Sequence, residues 1–255
     1  MTDLSALKKF IQHPSNDLGD NAWKLADVVR TMKNARFMDL GIRNGASSAI
    51  MSIDADKKNN QACGCDFMFE GFFRDSRKFI SENYLCYQAD SVTLGKNWDE
   101  DPFDIIFVDT IHTREQVLAE LYFWSNNLKE GGYFVFHDSH WEKEGGDTIA
   151  GVEWRRVDVA ITDFFNLPKN VMELTEYEND DILLNHFPGS FGMTFVKVKT
   201  LDAIERFKSD IDWDEVFEIR NQLSDFHLNR ERPDCIGHEW KLDFDSIENE
   251  LVITP

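Results

Sequence analysis

Hydrophobic residues fall into two alternating patterns along most of this chain. Short continuous apolar runs, which are typical of buried strands, occur at 36–40, 62–65, 84–88, 103–108 and 133–136. Apolar positions three or four residues apart, which predict helices, occur at 21–33, 72–83, 117–128 and 157–164. Small and apolar residues at 46–51 predict one more helix. Strands that alternate with helices predict an α/β domain with a mainly parallel sheet and right-handed crossovers.

Glycine and proline positions refine where these elements end. Gly131 and Gly132 follow the last apolar position of the helix predicted at 117–128 and indicate that this helix ends there. Pro168 is expected to end the helix at 157–164. Two further strands are predicted at 171–174 and 191–198. We expect the second of these to be one arm of a closing antiparallel pair.

The composition of the chain changes near residue 200. Residues 1–200 predict one domain with an N-terminal helical lead-in. Residues 201–255 predict an acidic, partly helical extension that packs on the same domain, with helical spacing clearest at 213–226. The sequence leaves open whether this extension covers the sheet, forms a lid or mediates a homodimer.

Acidic residues lie at or just after the ends of five of the predicted strands. They are Asp39, Asp66, Asp90, Asp109 and Asp138. In an open α/β sheet, ligands bind at the carboxyl ends of the strands near the point where the strand order reverses. The position of all five acids at one rim of the sheet therefore favours a binding site over a solvated acidic edge.

The turn between the first strand and its helix runs from Asp39 to Gly45. Glycines at 41 and 45 allow the backbone to approach a ligand closely, and the helix N-terminus favours a polar or anionic group. A third glycine, which a dinucleotide fingerprint needs, is absent, and no Gly-Lys-Ser/Thr follows for a P-loop. The turn therefore indicates an adenosine-containing cofactor and disfavours a nicotinamide oxidoreductase or an NTPase. Asp66 can accept hydrogen bonds from a ribose diol, and Asp90 from an adenine amine.

Charge and cysteine content narrow the class of partner. The formal net charge of −20, without a basic patch, disfavours nucleic acid and anionic membrane surfaces. None of the apolar runs is long enough to cross a bilayer. The four cysteines lack a metal-type spacing and are expected to be reduced and buried, which makes the cytoplasm the default location.

Several segments together resemble a known family. They are MDLGIRNGASS, the acid in CGCD, DIIFVDTIHTREQV, LKEGGYFVFHD and GMTFVKV. Their order is similar to that of the class I S-adenosylmethionine-dependent methyltransferases, over roughly residues 35–199. The resemblance is strongest to the small-molecule O-methyltransferase branch (methyltransferase family 24-like) that includes macrocin O-methyltransferase and cephalosporin-hydroxylase-like proteins. It implies a Rossmann-like, doubly wound, mostly parallel seven-stranded sheet with a closing antiparallel strand.

The resemblance also implies roles for the matched cofactor positions. The methionine part of S-adenosylmethionine would be bound by the glycine turn and the start of the next helix, at Asp39, Gly41, Arg43, Asn44, Gly45 and Ser47. Asp66 would hold the ribose, and Asp90 would lie at the adenine. Asp109, at the end of the fourth strand, would face the transferred methyl group.

A divalent metal is implied for one branch of these enzymes, with Asp109, His137 and Asp138 as the matching ligands. Related sequences often have an acid where this chain has His137. Histidine is a softer ligand than Mg²⁺ usually takes, so His137 could bind Mn²⁺ or Fe²⁺, act as a general base or orient Asp138. His112 could take a hydroxyl proton, or instead cap the following helix.

The leading interpretation is methyl transfer to a small-molecule acceptor, with a hydroxyl on a sugar or a similar metabolite as the target. Asp109, His112 and His137 are the candidate catalytic residues. Two alternatives stay open: a non-catalytic cofactor-binding protein on the same fold, and a metal-dependent hydroxylase-like enzyme.

Overall fold

The computed structural model describes residues 3–13, 16–67, 76–140, 148–231 and 240–242. Its strands are β1 (Arg36–Leu40), β2 (Gln61–Asp66), β3 (Leu85–Gln88), β4 (Phe103–Val108), β5 (Leu128–His137), β6 (Thr148–Ile149), β7 (Val152–Glu153), β8 (Glu176–Glu178), β9 (Ile182–Phe187), β10 (Met193–Val198) and β11 (Trp240–Leu242). Its α-helices are α1 (Leu4–Ile11), α2 (Ala22–Thr31), α3 (Ala46–Met51), α4 (Ala55–Lys58), α5 (Ser91–Lys96), α6 (Arg114–Trp124), α7 (Val157–Phe164), α8 (Asp202–Lys208) and α9 (Trp213–Glu231).

Within the described residues, one nine-stranded sheet has the order β11-β3-β2-β1-β4-β5-β10-β9-β8. The five strands from β3 to β5 pair in parallel, and the four others pair antiparallel. The predicted Rossmann-like, mainly parallel α/β fold is confirmed. The sheet has two more strands than the predicted seven, because the short strands β8 and β11 extend its two edges.

Helices cover both faces of the sheet, as the continuous apolar runs of the strands require. Successive strand residues point to opposite faces, so Phe37 packs toward α1–α3 while Met38 packs toward α5–α9. Trp124 of α6 is fully buried in the second layer. Cys63, Cys65 and Cys86 are buried in the core, and Cys235 lies outside the described residues.

The predicted helix exit at Gly131 and Gly132 is wrong. α6 ends at Trp124, a 3₁₀ turn follows at Ser125–Asn127, and residues 129–132 belong to β5. The pairing of β5 with β4 shifts in register here: Phe103 pairs with Leu128, and Ile105 pairs with Tyr133. Gly131 has a φ of +74°, so these glycines form a bulge inside the strand.

Two other predicted elements differ from the structure. The strand predicted at 171–174 is a 3₁₀ turn at Val171–Glu173, and the strand next to β10 is β9, which the pattern of apolar residues did not predict. The helix predicted at 72–83 lies partly outside the described residues. Its described part contains a single 3₁₀ turn at Arg77–Phe79.

The extension after residue 200 packs against the domain. Ala203, Phe207 and Val216 are buried in the core cluster that contains α6 and α7. β11 adds an antiparallel strand to the edge at β3. None of the helices in the described part of the chain is both long and apolar enough to span a bilayer.

Candidate active site

The glycine turn interlocks with the ends of its two neighbouring strands. Gly41 N donates to Cys65 O at 2.9 Å, and Asp109 N donates to Leu40 O at 2.9 Å. Gly41 has a φ of +91°, and a Cβ atom there would lie 2.1 Å from the carbonyl oxygen of Asp109. Glycine is therefore required at position 41 by the protein itself, because the chain after β4 crosses directly over the turn.

Asp39 lies beneath this turn and is fully buried. Its Oδ2 accepts hydrogen bonds from Ser47 Oγ at 2.8 Å and from Ser48 Oγ, and Tyr84 Oη lies 3.5 Å away. Its Oδ1 is buried and has no hydrogen-bond partner among the described residues. Burial raises the pKa of Asp39 to about 7, against the lowering effect of the serine hydrogen bonds. The carboxyl group thus ties β1 to the first turn of α3 and keeps one acceptor available.

The rest of the turn faces Asp66 at the end of β2. Arg43 adopts a positive φ of +45°, and its N–H donates to Asp66 Oδ2 at 2.9 Å. Asn44 is partly buried, whereas Gly45 has a φ of +76° and precedes α3. The backbone N–H of Arg43 and the carboxylate of Asp66 thereby meet at the position where the ribose of the cofactor is expected.

Asp90 occupies a different position, one strand further out. It is the N-cap of α5, where its Oδ1 accepts from Thr93 N at 2.8 Å. Its Oδ2 pairs with the guanidinium of Arg220 from α9. Asp90 therefore fixes the β3 tip, and the adenine role expected for it stays a prediction.

Two histidines and two carboxylates come together at the ends of β4 and β5. His112 Nε2 lies 3.1 Å from Asp109 Oδ1 and 3.0 Å from Asp138 Oδ2. His137 Nδ1 lies 3.3 Å from Asp109 Oδ1, and its Nε2 lies 3.2 Å from the carbonyl oxygen of Ser190. We call Asp109, His112, His137 and Asp138 the reaction cluster. Asp109 stands at its centre, between the two imidazoles.

The carboxylates and imidazoles of the reaction cluster each shift the pKa of the other toward the charged form. Burial opposes ionisation of Asp109, but the adjacent His137 and His112 outweigh burial and hold its pKa well below the usual range. Burial likewise lowers the pKa of both histidines, but the carboxylates outweigh it and raise the pKa of His112 to about 10 and of His137 to about 9. Without a bound cation, both imidazoles are therefore protonated at neutral pH.

His112 is held from its outer side by the segment after β7. Its ring stacks on Trp154 with centroids 6.1 Å apart, and its carbonyl oxygen accepts from Arg156 N at 2.8 Å. The cap of α6 is Thr113, whose hydroxyl accepts from Gln116 N. The alternative in which His112 caps this helix is therefore wrong, and its imidazole points into the cluster.

Asp17 is a member of the site that the sequence did not reveal. Its carboxylate, that of Asp109 and a ring nitrogen of His137 lie within 4.8 Å of one another. Asp17 also pairs with the guanidinium of Arg43, so the N-terminal segment reaches across the glycine turn. A loop acid between two helices carries no pattern that would mark it as part of a distant site.

Known proteins match this chain in one segment of sequence and in overall fold. Residues 37–139, which run from β1 to the tip of β5, match a family model described as a methyltransferase domain. This segment is therefore similar to a methyltransferase domain. The resemblance that the motifs suggested is confirmed over the segment, which carries both the glycine turn and the reaction cluster. No curated protein matches the chain.

Solved structures extend the similarity beyond that segment. A protein of Klebsiella pneumoniae, provisionally described as an O-methyltransferase, has a TM-score of 0.53 at 15% identity, covering 76% of this chain and 87% of its own. The SAH-bound methyltransferase PaMTH1 of Podospora anserina has a TM-score of 0.53 at 15% identity, with coverages of 78% and 89%. The O-methyltransferase of Bacillus cereus in complex with SAH has a TM-score of 0.50 at 13% identity, with coverages of 76% and 91%. At these identities the likeness establishes the fold.

Proposed function

We propose that this chain transfers the methyl group of S-adenosylmethionine to a hydroxyl group of a small-molecule acceptor. The observation that carries the proposal is the position of Asp109. Its backbone packs on Gly41 of the cofactor turn, while its side chain lies between His112 and His137. A cofactor bound at the turn would therefore present its reactive end to groups that can hold and move a proton.

The glycine turn suits the methionine part of the cofactor. The partnerless Oδ1 of Asp39 can accept a hydrogen bond from an ammonium group or from a bridging water, and Ser47 supports the same carboxyl group. Asp66, already oriented by the N–H of Arg43, would accept the ribose hydroxyls. Asp90 would face the adenine. The SAH complexes of the PaMTH1 and Bacillus cereus proteins, which share the fold, support a cofactor of this class.

Methyl transfer is an in-line displacement. The acceptor oxygen forms a bond to the methyl carbon while the carbon–sulfur bond breaks, and the sulfur keeps the electron pair and becomes neutral. The hydroxyl proton must leave the oxygen, and His112 Nε2 can take it when the imidazole is neutral, a form that His112 reaches at neutral pH only if its pKa is lowered from about 10. Asp109 and Asp138 orient this nitrogen and stabilise the imidazolium that forms.

The cluster also fits a divalent cation. Asp109, His112 and Asp138 offer ligand atoms within 4.8 Å of one another, and so do Asp17, Asp109 and His137. A mixed set of imidazole and carboxylate donors favours Mn²⁺ or Fe²⁺ over Mg²⁺. Held by Asp17, Asp109 and His137, such a cation would lower the pKa of the acceptor hydroxyl and of the neighbouring His112, which leaves that imidazole free to act as a base; held by His112 itself, it would occupy the nitrogen that a base needs. The carbonyl of Ser190 would hold the far nitrogen of His137 in the orientation that a ligand needs.

The remaining features of the chain shape the wider proposal. The net charge of −20 favours a neutral or cationic acceptor and makes nucleic acid an unsuitable substrate. We assign residues 1–200 to the catalytic domain and 201–255 to an extension packed on it. A cytoplasmic location and a homodimer belong to the same proposal.

Titration calorimetry with S-adenosylmethionine and SAH tests cofactor binding first. We expect the wild-type protein to bind both, and no binding at millimolar concentration would contradict the proposal. Release of SAH in the presence of a panel of hydroxylated small molecules then tests transfer. Asp109→Asn should lower turnover by about 100-fold or more, since it removes the carboxylate that orients both histidines. Its affinity for SAH should change little.

Asp181→Asn provides the matched control, because Asp181 pairs with exposed Arg206 away from the site. It should keep wild-type turnover.

The donor set of the cluster also favours the hydroxylase-like alternative. Elemental analysis of anaerobically purified protein separates this alternative from methyl transfer. Bound iron in a wild-type protein that does not bind SAH would support the hydroxylase.

A further inference from the structure

A buried polar network joins the C-terminal extension to the tip of β3. Arg220 on α9 pairs with Asp90 Oδ2, and its Nε donates to Gln116 Oε1 at 3.3 Å. The side chains of Arg220 and Asp90 are only 7% and 21% exposed. An ion pair shielded to this degree holds its geometry better than a surface pair does.

The network continues from α6 to the ends of two strands. Gln116 Nε2 donates to Ser91 Oγ at 3.1 Å and to Glu120 Oε1 at 2.8 Å. The hydroxyls of Ser91 and Thr110 donate to the same Glu120 oxygen. Ser91 follows Asp90, and Thr110 follows Asp109, so this network fixes the loop after β3 relative to the loop after β4.

The extension holds β3 at a second place. β11 pairs antiparallel with β3, with Trp240 opposite Gln88 and Leu242 opposite Cys86. α9 itself is anchored on α6, where Trp213 lies 4.6 Å and Phe217 5.2 Å from the ring centroid of Tyr122. The extension therefore contacts β3 along its length and, through Arg220, at the tip that carries Asp90.

We propose that Arg220 is a positioning residue that orients Asp90 to accept a hydrogen bond from the amino group of adenine. The inference rests on the proposed function, which places adenine beside Asp90. A carboxylate offers about four acceptor positions, and among the described residues two are used, by Thr93 N and Arg220. A purine with a carbonyl oxygen in place of the amine would face the carboxylate with another acceptor and would be rejected. The C-terminal extension would thus set the base preference of the cofactor site.

The test compares affinities for S-adenosylhomocysteine and S-inosylhomocysteine by titration calorimetry. Wild-type protein should prefer the adenosyl compound by about tenfold or more, because a hydrogen bond to a charged group is lost with the inosyl compound. Asp90→Asn and Arg220→Gln should each reduce this preference to less than about threefold. The double variant should reduce it no further, since both changes remove the same interaction.

Two more variants separate positioning from a general loss of structure. Arg206→Gln removes the exposed pair with Asp181 on α8 and should keep the wild-type preference. Arg220→Lys keeps the charge in a smaller side chain and should give an intermediate preference. It serves as the test if Arg220→Gln folds poorly. Equal weakening of both nucleosides by the Arg220 variants, or an unchanged preference in Asp90→Asn, would overturn the inference while the proposed function stands. Failure of wild-type protein to bind S-adenosylhomocysteine would overturn both.

Discussion

The buried carboxyl group of Asp39 should make a contribution to the stability of this protein that falls as the pH rises toward neutrality. Burial raises its pKa to about 7 in the folded state, against an ordinary value of 3.8. Between these two values the folded chain binds a proton at Asp39 that the unfolded chain has lost. The contribution of Asp39 to stability therefore decreases as the pH rises from about 4 to about 7, and the full cost persists above that range. The pKa difference corresponds to about 4 kcal/mol, as an upper estimate.

Asp39→Asn isolates this contribution, because an amide does not titrate. Its oxygen can accept from Ser47 and Ser48, while its amino group occupies the position of the partnerless Oδ1 and costs a pH-independent amount. We expect the difference in unfolding free energy, variant minus wild type, to increase by several kcal/mol as the pH rises from 4.5 to 8. Urea unfolding at a series of pH values measures the difference. A difference that stays constant over this range would refute the reasoning, because it would mean that Asp39 ionises normally inside the fold.

Three further outcomes are expected. Gly41→Ala should destabilise the fold by roughly 3 kcal/mol in urea unfolding, because its Cβ would meet the Asp109 carbonyl at 2.1 Å; Gly151→Ala, at a similar φ of +84° with no atom within 4 Å, should cost only about 1 kcal/mol. Equal losses would show that the contact with Asp109 is unimportant. In calorimetry, Mn²⁺ should bind at least about tenfold more tightly than Mg²⁺, and His112→Gln should remove this preference; a wild-type protein that prefers Mg²⁺ would argue against imidazole ligation. Burial and the neighbouring His140 lower the pKa of His186 to about 4, so the folded state excludes a proton that the unfolded state binds below about pH 6.5. The contribution of His186 to stability should therefore fall as the pH drops from about 6.5 to about 4. The difference in stability between His186→Gln and the wild type should shift in favour of the variant over this interval in thermal unfolding, and a constant difference would contradict the shift.

Much of the fold was predictable because its strands are continuous apolar runs that end in an acid or a glycine. β1 and β4 match their predicted ranges for this reason. The glycines at 131 and 132 misled the prediction, since glycine pairs mark strand bulges as readily as helix exits. β9 was missed, although Ile182, Leu184 and His186 alternate as buried positions, because the polar Asn185 and His186 interrupt the apolar run.

The candidate site was predictable only where its residues lie at strand ends. Asp109 and Asp138 follow strands, and parallel strands bring their carboxyl ends to one edge. Asp17 and Arg220 were not predicted as members of the site because Asp17 reaches it from a loop and Arg220 from a distant helix. Arg220 lies 130 positions from Asp90 in the chain, and no local pattern encodes a contact at that separation.

The two outer strands of the sheet bear on how copies of this chain can associate. β8 and β11 have three residues each, whereas the interior strand β5 has ten. So short a border offers few unpaired backbone groups on which another chain could extend the sheet, and Glu176 and Glu178 add negative charge to one of the borders. In the described part of the chain, these short edges thus disfavour edge-to-edge aggregation. A dimer of this chain is expected to join through its helical faces.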